Sequence, residues 1–159
     1  MARGDSTLRF EAEDLVEEDF FMQPPYNLNR SQYRAERPLV VFFEQGNCHA
    51  CDVLHTQPLR QEVIYKRFQN FETVQLDMWA NTPIVTPDGQ KTTAKQWAQD
   101  LGIFYAPSLL FFDENGKEII RLDSVVHLFR LRGILNYVMA RGYLSYPTYQ
   151  TWRASANQP

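Results

Sequence analysis

The chain contains only two cysteines, Cys48 and Cys51, and they lie three positions apart. Two thiols this close together cannot form the framework of a disulfide-stapled fold, in which bridges join distant parts of the chain. With 159 residues, 44% of them hydrophobic, the chain can fold around one hydrophobic core without such bridges. The pair therefore indicates a chemical site, rather than a structural framework, in a single-domain globular protein.

The charge composition excludes two broad classes of partner. Sixteen basic and nineteen acidic side chains leave a net charge of −3, which gives no general attraction to nucleic acid or to an anionic membrane.

The longest apolar run, residues 39–43, is far shorter than the roughly 18 to 20 residues that a membrane span needs. Residues 1–20 are acidic and lack a signal-peptide pattern, so we expect a cytoplasmic protein or one whose leader is absent from this chain.

The cysteines follow a segment that predicts a buried strand. Residues 39–44 are β-branched and aromatic, end in Glu44, and are bounded by a proline and a glycine. Asn47 is then the predicted N-cap of a helix that begins at Cys48. Pro58 should interrupt this helix, which we expect to resume over residues 59–68.

The remaining pattern predicts an α/β architecture. Before residue 38, the pattern predicts an acidic helix over 11–19, a loop at Pro24-Pro25 and a short helix over 31–36. After residue 70, it predicts a strand over 71–78, a small hairpin or ordered loop over 84–92 and a helix over 93–101 with Gly102 at its end. A β-hairpin over 108–122 and a final helix from Ser124 to about Arg141 follow. This order predicts a central mixed β-sheet flanked by helices.

The position of the pair favours redox chemistry. At a strand–helix junction both sulfurs lie on the first helical turn, close enough to bond and to separate again. The N–H groups at a helix N-terminus stabilise a thiolate, most strongly at Cys48, which should be the more exposed sulfur, and a protonated His49 would add to this effect. Disulfide exchange needs this arrangement, in which Cys48 attacks and Cys51 resolves the mixed disulfide.

Two separated segments carry a resemblance to a known family. Residues 40–51 resemble the active-site segment of the thioredoxin superfamily, and residues 105–118 resemble its cis-proline loop and the hairpin that follows. Glu44, Leu54-His55 and Leu76-Asp77-Met78-Trp79 are most similar to SoxW-like periplasmic thioredoxins, bacterial thiol reductases associated with sulfur oxidation.

This resemblance implies a thioredoxin fold with three parts. Residues 1–37 would be an N-terminal extension, residues 38–142 the thioredoxin-like domain, and residues 143–159 an aromatic C-terminal tail packed on the domain, with a small insertion around residues 80–92. It also implies a periplasmic location, with a cytoplasmic one as the alternative.

The resemblance also implies roles for individual residues. Cys48 would be the nucleophile and Cys51 the resolving thiol. Pro107 would follow a cis peptide bond, with the Ala106 backbone facing Cys48 and pairing with an extended substrate segment. Ala50 would complete the substrate-binding surface.

Two positions depart from the family pattern. Asn47 stands where typical thioredoxins carry a tryptophan, and Phe42 stands where they carry a buried acid. Glu44 is therefore the candidate for proton transfer, and His49 the candidate for tuning the thiolate.

These observations together predict an oxidoreductase that reduces disulfides of other proteins. Because the chain has no third cysteine, a second protein must supply thiol electrons, and a membrane-bound donor is one candidate. We expect no nucleotide or flavin cofactor, since no nucleotide-binding glycine motif is present. We also expect no metal, since neighbouring residues on one helix cannot easily enclose a tetrahedral ion. The direction of electron flow stays open, because a histidine between the cysteines would favour an oxidant.

Two other functions remain open at this stage. A copper or zinc carrier could use Cys48, Cys51 and His55, which share a helix face, with His49 as a fourth ligand. A redox-silent interaction module could use the groove beside Pro107.

Several polar and aromatic residues are expected to be structural. We expect His55 to be a partly buried, hydrogen-bonded helix residue, Asp77 a solvated strand-end residue and His127 a surface residue. Aromatic residues near the C-terminus recur every three positions and should pack on the core: Tyr143, Tyr146, Tyr149 and Trp152.

Overall fold

The computed structural model of the protein describes residues 15–123 and 128–155. The strands in this part of the chain are β1 (Tyr26–Asn27), β2 (Leu39–Glu44), β3 (Glu72–Asp77), β4 (Pro83–Val85), β5 (Lys91–Thr93), β6 (Ser108–Phe112) and β7 (Glu118–Asp123). The helices are α1 (His49–Thr56), α2 (Glu62–Tyr65), α3 (Ala94–Leu101), α4 (Leu128–Met139) and α5 (Tyr149–Arg153). Short 3₁₀ segments lie at Pro58–Arg60, Lys66–Asn70 and Gly142–Leu144. None of the helices in the described ranges is long and apolar enough to cross a membrane.

Four strands form the central sheet in the order β3-β2-β6-β7. β2 is parallel to β3 and antiparallel to β6, which is antiparallel to β7. The predicted mixed sheet is therefore confirmed. This topology brings the C-terminal ends of β2 and β3 and the N-terminal end of β6 to one edge of the sheet.

Helices cover both faces of this sheet, because β2 alternates apolar side chains between them. Val40 and Phe42 point into one core cluster, together with residues of α1 and α4. Val41 and Phe43 point into a second cluster, which α3 closes. All five of the residues 39–43 are fully buried, as expected for a central strand covered on both sides.

A second, smaller sheet has the order β1-β4-β5. The hairpin predicted over residues 84–92 is confirmed as the antiparallel pair β4 and β5. Its turn uses Gly89 at a φ of 91°, where the left-handed backbone favours glycine. β1 pairs in parallel with β4, so the segment before the central sheet contributes a strand of its own.

The short helix predicted over 31–36 is wrong, since these residues form bends. The Asn29 side chain accepts hydrogen bonds from the backbone N–H and the hydroxyl of Ser31, which competes with helix formation. The Ala35 N–H donates to the carbonyl oxygen of Glu114 rather than within a helix. Residues 15–18 of the predicted acidic helix also lack regular structure, and its earlier residues lie outside the described ranges.

The remaining helix predictions hold with modified ends. α1 ends before Pro58, and the chain continues through short 3₁₀ and α segments. The structure describes the final helix from Leu128 to Met139, and the predicted start at residues 124–127 lies outside the described ranges, as does His127.

The aromatic C-terminal segment packs on α4. Tyr149 and Trp152 are buried, with ring centroids 5.7 and 5.4 Å from that of Tyr137. Tyr143 and Tyr146 are half-buried against the same cluster.

Candidate active site at the Cys48–Cys51 pair

Cys48 and Cys51 form a disulfide at the N-terminus of α1, with the sulfur atoms 2.24 Å apart. The prediction that Asn47 caps this helix is wrong by one residue, because Cys48 is the N-cap and the helix begins at His49. Asn47 instead adopts the left-handed conformation, at a φ of 51°, which asparagine tolerates better than most residues. The turn between β2 and α1 therefore places the first sulfur itself in the capping position.

Two backbone groups surround the sulfur of Cys48. The N–H of Cys51 donates to Cys48 Sγ at 3.1 Å, as a capping hydrogen bond. The carbonyl oxygen of Ala106 lies 3.7 Å from the same sulfur. Cys48 is 9% exposed and Cys51 3% exposed, so Cys48 is the more accessible of the two. A helix N-terminus that already directs an N–H at this sulfur would stabilise a thiolate there after reduction.

The loop before β6 lies directly beside the disulfide. Ser108 begins β6 and pairs with Phe43 of β2, so the preceding residues reach the end of β2 from which the cysteine turn departs. The peptide bond between Ala106 and Pro107 is cis. The structure thus brings Ala106 and Pro107 next to Cys48, although the two segments are 58 positions apart in sequence.

The other predicted site residues lie around the same turn. His49 is exposed at the first position of α1, and Ala50 is half-buried beside it. Phe42 is fully buried and packs edge-on against Phe21 at 5.0 Å, so an apolar contact occupies the position of the family's buried acid. Glu44 is also fully buried.

Glu44 belongs to a buried ionic cluster that the sequence patterns did not reveal. We name Glu18, Glu44 and His55 the buried triad. His55 Nε2 lies 2.9 Å from both carboxylate oxygens of Glu44, and His55 Nδ1 lies 2.7 Å from Glu18 Oε2. His55 and Glu44 are completely buried, and Glu18 is 7% exposed. The prediction that His55 is a hydrogen-bonded helix residue is confirmed, but its burial is complete rather than partial.

The triad favours the charged form of His55. Burial by itself lowers the pKa of His55, but hydrogen bonds and charge interactions with Glu44 and Glu18 outweigh it and raise the pKa above its ordinary value. Arg60 lies at the rim of the triad, with its guanidinium nitrogen 3.2 Å from Glu18 Oε1. The acidic run at residues 17–19 was the only sequence signal for Glu18.

The triad lies close to the buried cysteine. His55 is four residues after Cys51 on α1, so both side chains occupy the buried face of the same helix, one turn apart. Glu44 is the last residue of β2. The triad therefore ties together the two ends of the segment that carries the disulfide.

The same contacts remove His55 from the ligand set predicted for a metal carrier. Both of its ring nitrogens are engaged by carboxylates, so neither faces the cysteines. Among the described residues, no group of three or more His, Cys, Asp or Glu side chains is arranged to hold a metal ion.

Asp77, at the end of β3, differs from its predicted solvated state. It is half-buried, and burial raises its pKa, although the N–H of Trp79 donates to its carboxylate at 2.9 Å and opposes the shift. The indole N–H of Trp79 itself donates to Gln45 Oε1 at 2.6 Å, across the end of β2.

Comparison with known proteins agrees with this architecture. A thioredoxin-fold protein from Helicobacter pylori has a TM-score of 0.66 at 13% identity, over 88% of this chain and 86% of its own. A thioredoxin from Thermus thermophilus has a TM-score of 0.54 at 16% identity, over 67% of this chain and 76% of its own. No curated protein matches the chain by sequence. Residues 28–139 match the thioredoxin-like domain family, and because this match spans most of the chain, the protein belongs to that family.

Proposed function

We propose that the protein reduces disulfides of other proteins through the Cys48–Cys51 pair. The observation that carries this proposal is the position of Cys48 Sγ, which caps α1, accepts the Cys51 N–H at 3.1 Å and lies 3.7 Å from the carbonyl oxygen of Ala106. The helix N-terminus and the Cys51 N–H stabilise a thiolate, and the Ala106 carbonyl oxygen belongs to a neighbouring segment that can align a substrate chain.

The proposed reaction begins from the reduced pair. The Cys48 thiolate attacks one sulfur of the substrate disulfide, whose S–S bond breaks and releases the other sulfur as a thiolate that takes up a proton. The Cys51 thiolate then attacks Cys48 Sγ in the mixed disulfide and releases the second substrate sulfur, which is also protonated. The substrate gains two electrons and two protons, and the Cys48–Cys51 disulfide forms.

A separate thiol protein must then reduce this disulfide, since the chain has no third cysteine that could reduce it. We propose a SoxW-like periplasmic role with a donor of this kind, which a membrane protein could provide. The similarity of Glu44, Leu54-His55 and residues 76–79 to SoxW-like thioredoxins supports this finer assignment. No cofactor enters the proposed reaction.

Substrate alignment is assigned to Ala106, Pro107 and Ala50, and tuning of the thiolate to His49. In this proposal the backbone of Ala106, whose carbonyl oxygen lies 3.7 Å from Cys48 Sγ, pairs with an extended substrate segment, and Pro107 borders the same groove. Ala50 lies on the first turn of α1 and leaves room beside the disulfide because its side chain is small. His49, exposed at the helix start, can add positive charge near the thiolate.

Glu44 is assigned to proton transfer at Cys51, with His55 as its partner. In this proposal the Cys51 thiol loses its proton to the buried triad before it attacks Cys48. The position of Cys51 and His55 on one helix face, one turn apart, supports the assignment, as does Phe42 at the place of the family's acid.

Turnover with a protein disulfide tests the main proposal. The reduced protein should cleave the interchain disulfides of insulin, and Cys48→Ser should abolish turnover. Cys51→Ser should accumulate a mixed disulfide, because the resolving sulfur is missing. Retention of turnover in Cys48→Ser would contradict the proposal. A partner complex that survives replacement of both cysteines by alanine, without any disulfide exchange, would favour the redox-silent module instead.

The reduction potential tests the direction of electron flow. Equilibration against a glutathione series should give a value near that of thioredoxin, about −270 mV, if the protein is a reductant. A value near −120 mV would indicate an oxidant and would contradict the reducing role.

The role of Glu44 is tested by the pH dependence of the resolving step. Glu44→Gln should slow release of the second substrate sulfur by about tenfold or more near neutral pH, with recovery at alkaline pH, where a free thiol ionises by itself. Glu62→Gln, at an exposed acid on α2, is the matched control and should keep the wild-type profile. An unchanged profile in Glu44→Gln would contradict the assignment.

A further inference from the structure

The chain before the central sheet is held along the outer edge of β3, which is an edge strand of that sheet. We name residues 15–23 the N-terminal segment. The Met22 N–H donates to the Thr73 carbonyl oxygen at 2.8 Å, and Gln75 Nε2 donates to the Val16 carbonyl oxygen at 2.7 Å. The N-terminal segment is therefore hydrogen-bonded to β3 at two points.

Two neighbouring aromatic side chains anchor the N-terminal segment in the core. Phe20 stacks on Phe68 with ring centroids 5.1 Å apart, and Phe21 packs edge-on against Phe42 at 5.0 Å. The ring of Phe21 also lies 6.1 Å from that of His55. These contacts bring the acidic residues that precede the two phenylalanines to the buried face of α1.

Glu18 is the member of the buried triad that this segment supplies. It is 7% exposed, whereas Glu17 and Asp19 on either side of it are exposed. Glu18 Oε2 lies 2.7 Å from His55 Nδ1, and Glu18 Oε1 accepts a hydrogen bond from Arg60 at 3.2 Å. Both carboxylate oxygens of Glu18 are therefore engaged, one at the centre of the triad and one at its rim.

His55 can donate to both carboxylates only as an imidazolium. A neutral imidazole has one N–H donor, whereas the charged ring has one on each nitrogen. Glu18 faces Nδ1 and Glu44 faces Nε2, so protonation of His55 completes both hydrogen bonds. A carboxylate that holds one ring nitrogen fixes the ring and stabilises the imidazolium that forms when the other nitrogen gains a proton.

We propose that Glu18 is a positioning residue of the redox site, which holds His55 so that the buried triad takes up the proton of Cys51. This proposal rests on the proposed function, in which Glu44 receives that proton, and it adds the N-terminal segment to the site.

The proton moves in two transfers. The Cys51 S–H bond breaks, the sulfur keeps the electron pair, and the proton binds a carboxylate oxygen of Glu44. It then passes to Nε2 of a neutral His55, whose ring becomes charged between two carboxylates. The Cys51 thiolate is left to attack Cys48 Sγ.

This role sets the pH range in which the triad accepts a proton. A triad in which His55 is already charged cannot take up a further proton at Nε2, so the resolving step should become faster as His55 loses its proton. Burial lowers the pKa of His55, and Glu44 and Glu18 raise it, so removal of the charge of Glu18 should lower it. Arg60 faces Glu18 from the 3₁₀ segment after α1, and Cys51 shares the buried face of α1.

Reaction with one equivalent of 5,5′-dithiobis(2-nitrobenzoate) separates the two sulfur-exchange steps. Attack by Cys48 on the reagent releases one 2-nitro-5-thiobenzoate, and attack by Cys51 on the resulting mixed disulfide releases the second. Stopped-flow absorbance over a range of pH gives the rate of each phase. The first phase reports Cys48 alone and shows in every variant that the site is intact.

Glu18→Gln removes the charge of Glu18 and keeps its size and a hydrogen-bond acceptor. We expect the pH at which the second phase reaches half of its maximal rate to fall by about one unit or more, because one of the two carboxylates that favour the charged ring is lost. The first phase should be unchanged. Glu17→Gln, at the neighbouring exposed acid of the same segment, is the matched control and should keep both phases.

NMR titration of the imidazole in the disulfide form gives a readout that does not depend on turnover. The spectrum of His55→Gln identifies the signal of His55 among those of the three histidines. Glu18→Gln should lower the titration midpoint of His55 by about as much as it lowers the midpoint of the second phase, and Glu17→Gln should leave it in place.

A second-phase midpoint that stays unchanged in Glu18→Gln would overturn the positioning role, whether or not the titration of His55 moves and whether or not the variant is less stable. Disulfide exchange itself would then stand. If the wild-type protein released no 2-nitro-5-thiobenzoate in either phase, the proposed function would fail, and the role of Glu18 with it.

Discussion

The two faces of β2 are both buried, but they pack against different kinds of side chain. On one face, Phe43 packs edge-on against Trp97 of α3, with ring centroids 5.5 Å apart, in a wholly apolar cluster. On the other face, the apolar row of Val40 and Phe42 ends in the carboxylate of Glu44, which lies against His55. Both faces are closed to water, yet only the second contains buried charge at the end nearest the cysteines.

This difference determines how the contribution of each face to stability depends on solution conditions. The contribution of apolar burial to the free energy of unfolding does not depend on the protonation of any group. A buried ionic cluster is stable only when every member has its partner, because an unpaired charge in the interior costs several kcal/mol. The face with the buried triad should therefore respond to pH and to single charge changes, whereas the face with Phe43 should not.

The largest effect should come from His55→Ala. This change leaves the carboxylates of Glu18 and Glu44 buried without their cation, and it should lower the free energy of unfolding by about 3–5 kcal/mol below pH 6.5. Urea unfolding of the variant and the wild type measures the difference. A loss below about 1 kcal/mol would mean that the triad is not a paired buried cluster.

Leu110→Ala tests the apolar face. Leu110 is fully buried beside Val41, so the substitution should cost about 2–5 kcal/mol through lost burial and a cavity. The cost should be constant between pH 6 and about 9, because no ionisable partner is involved. A cost that varies with pH as strongly as that of His55→Ala would remove the contrast between the two faces.

The pH dependence of wild-type stability gives a smaller effect. Because the pKa of His55 is raised in the folded state, its contribution is complete below the ordinary value of 6.5 and is lost as the pH rises through the folded value. The free energy of unfolding should therefore fall as the pH rises from 6.5 through the folded-state pKa of His55. The measurement stays below a pH of about 10, where tyrosine ionises. His55→Gln should flatten the slope, and His49→Gln, at an exposed histidine, should keep it. A slope that persists in His55→Gln would assign the dependence to another group.

The smallest effect should come from Arg60→Ala. Arg60 pairs with Glu18 but is 55% exposed, so solvent screens the interaction and the loss should be about 0.2–1 kcal/mol. Unfolding of the single variant and of the double variant with His55→Ala measures the coupling. A loss comparable to that of His55→Ala would show that the cluster depends on its rim as much as on its centre.

Local patterns were sufficient for the elements that carry the cysteines. The run of β-branched and aromatic residues at Leu39–Glu44 predicted the central strand, and the proline at position 58 predicted the end of α1. Gly102 predicted the end of α3, where it adopts a φ of 72°. Such predictions succeed because propensity, capping and periodicity act over a few neighbouring residues.

The same patterns failed where competing hydrogen bonds or packing against other elements override the local preference. Asn29 and Glu114 use backbone and side-chain groups of residues 31–36 in other hydrogen bonds, so no helix forms there. Asp77 ends its strand as predicted, but packing around it, which no local pattern encodes, leaves it half-buried.

The sequence by itself determined that the cysteine pair follows a buried strand and opens a helix, because strand and helix preferences are local. Only the tertiary structure decided what surrounds the pair. The β3-β2-β6 order sets Trp79 and Tyr105 on its two sides, and the packing of the N-terminal segment brings Glu18 to His55, 37 positions away. These contacts depend on which strands pair and which faces are buried, and that is settled by the free energy of the whole core rather than by any one segment.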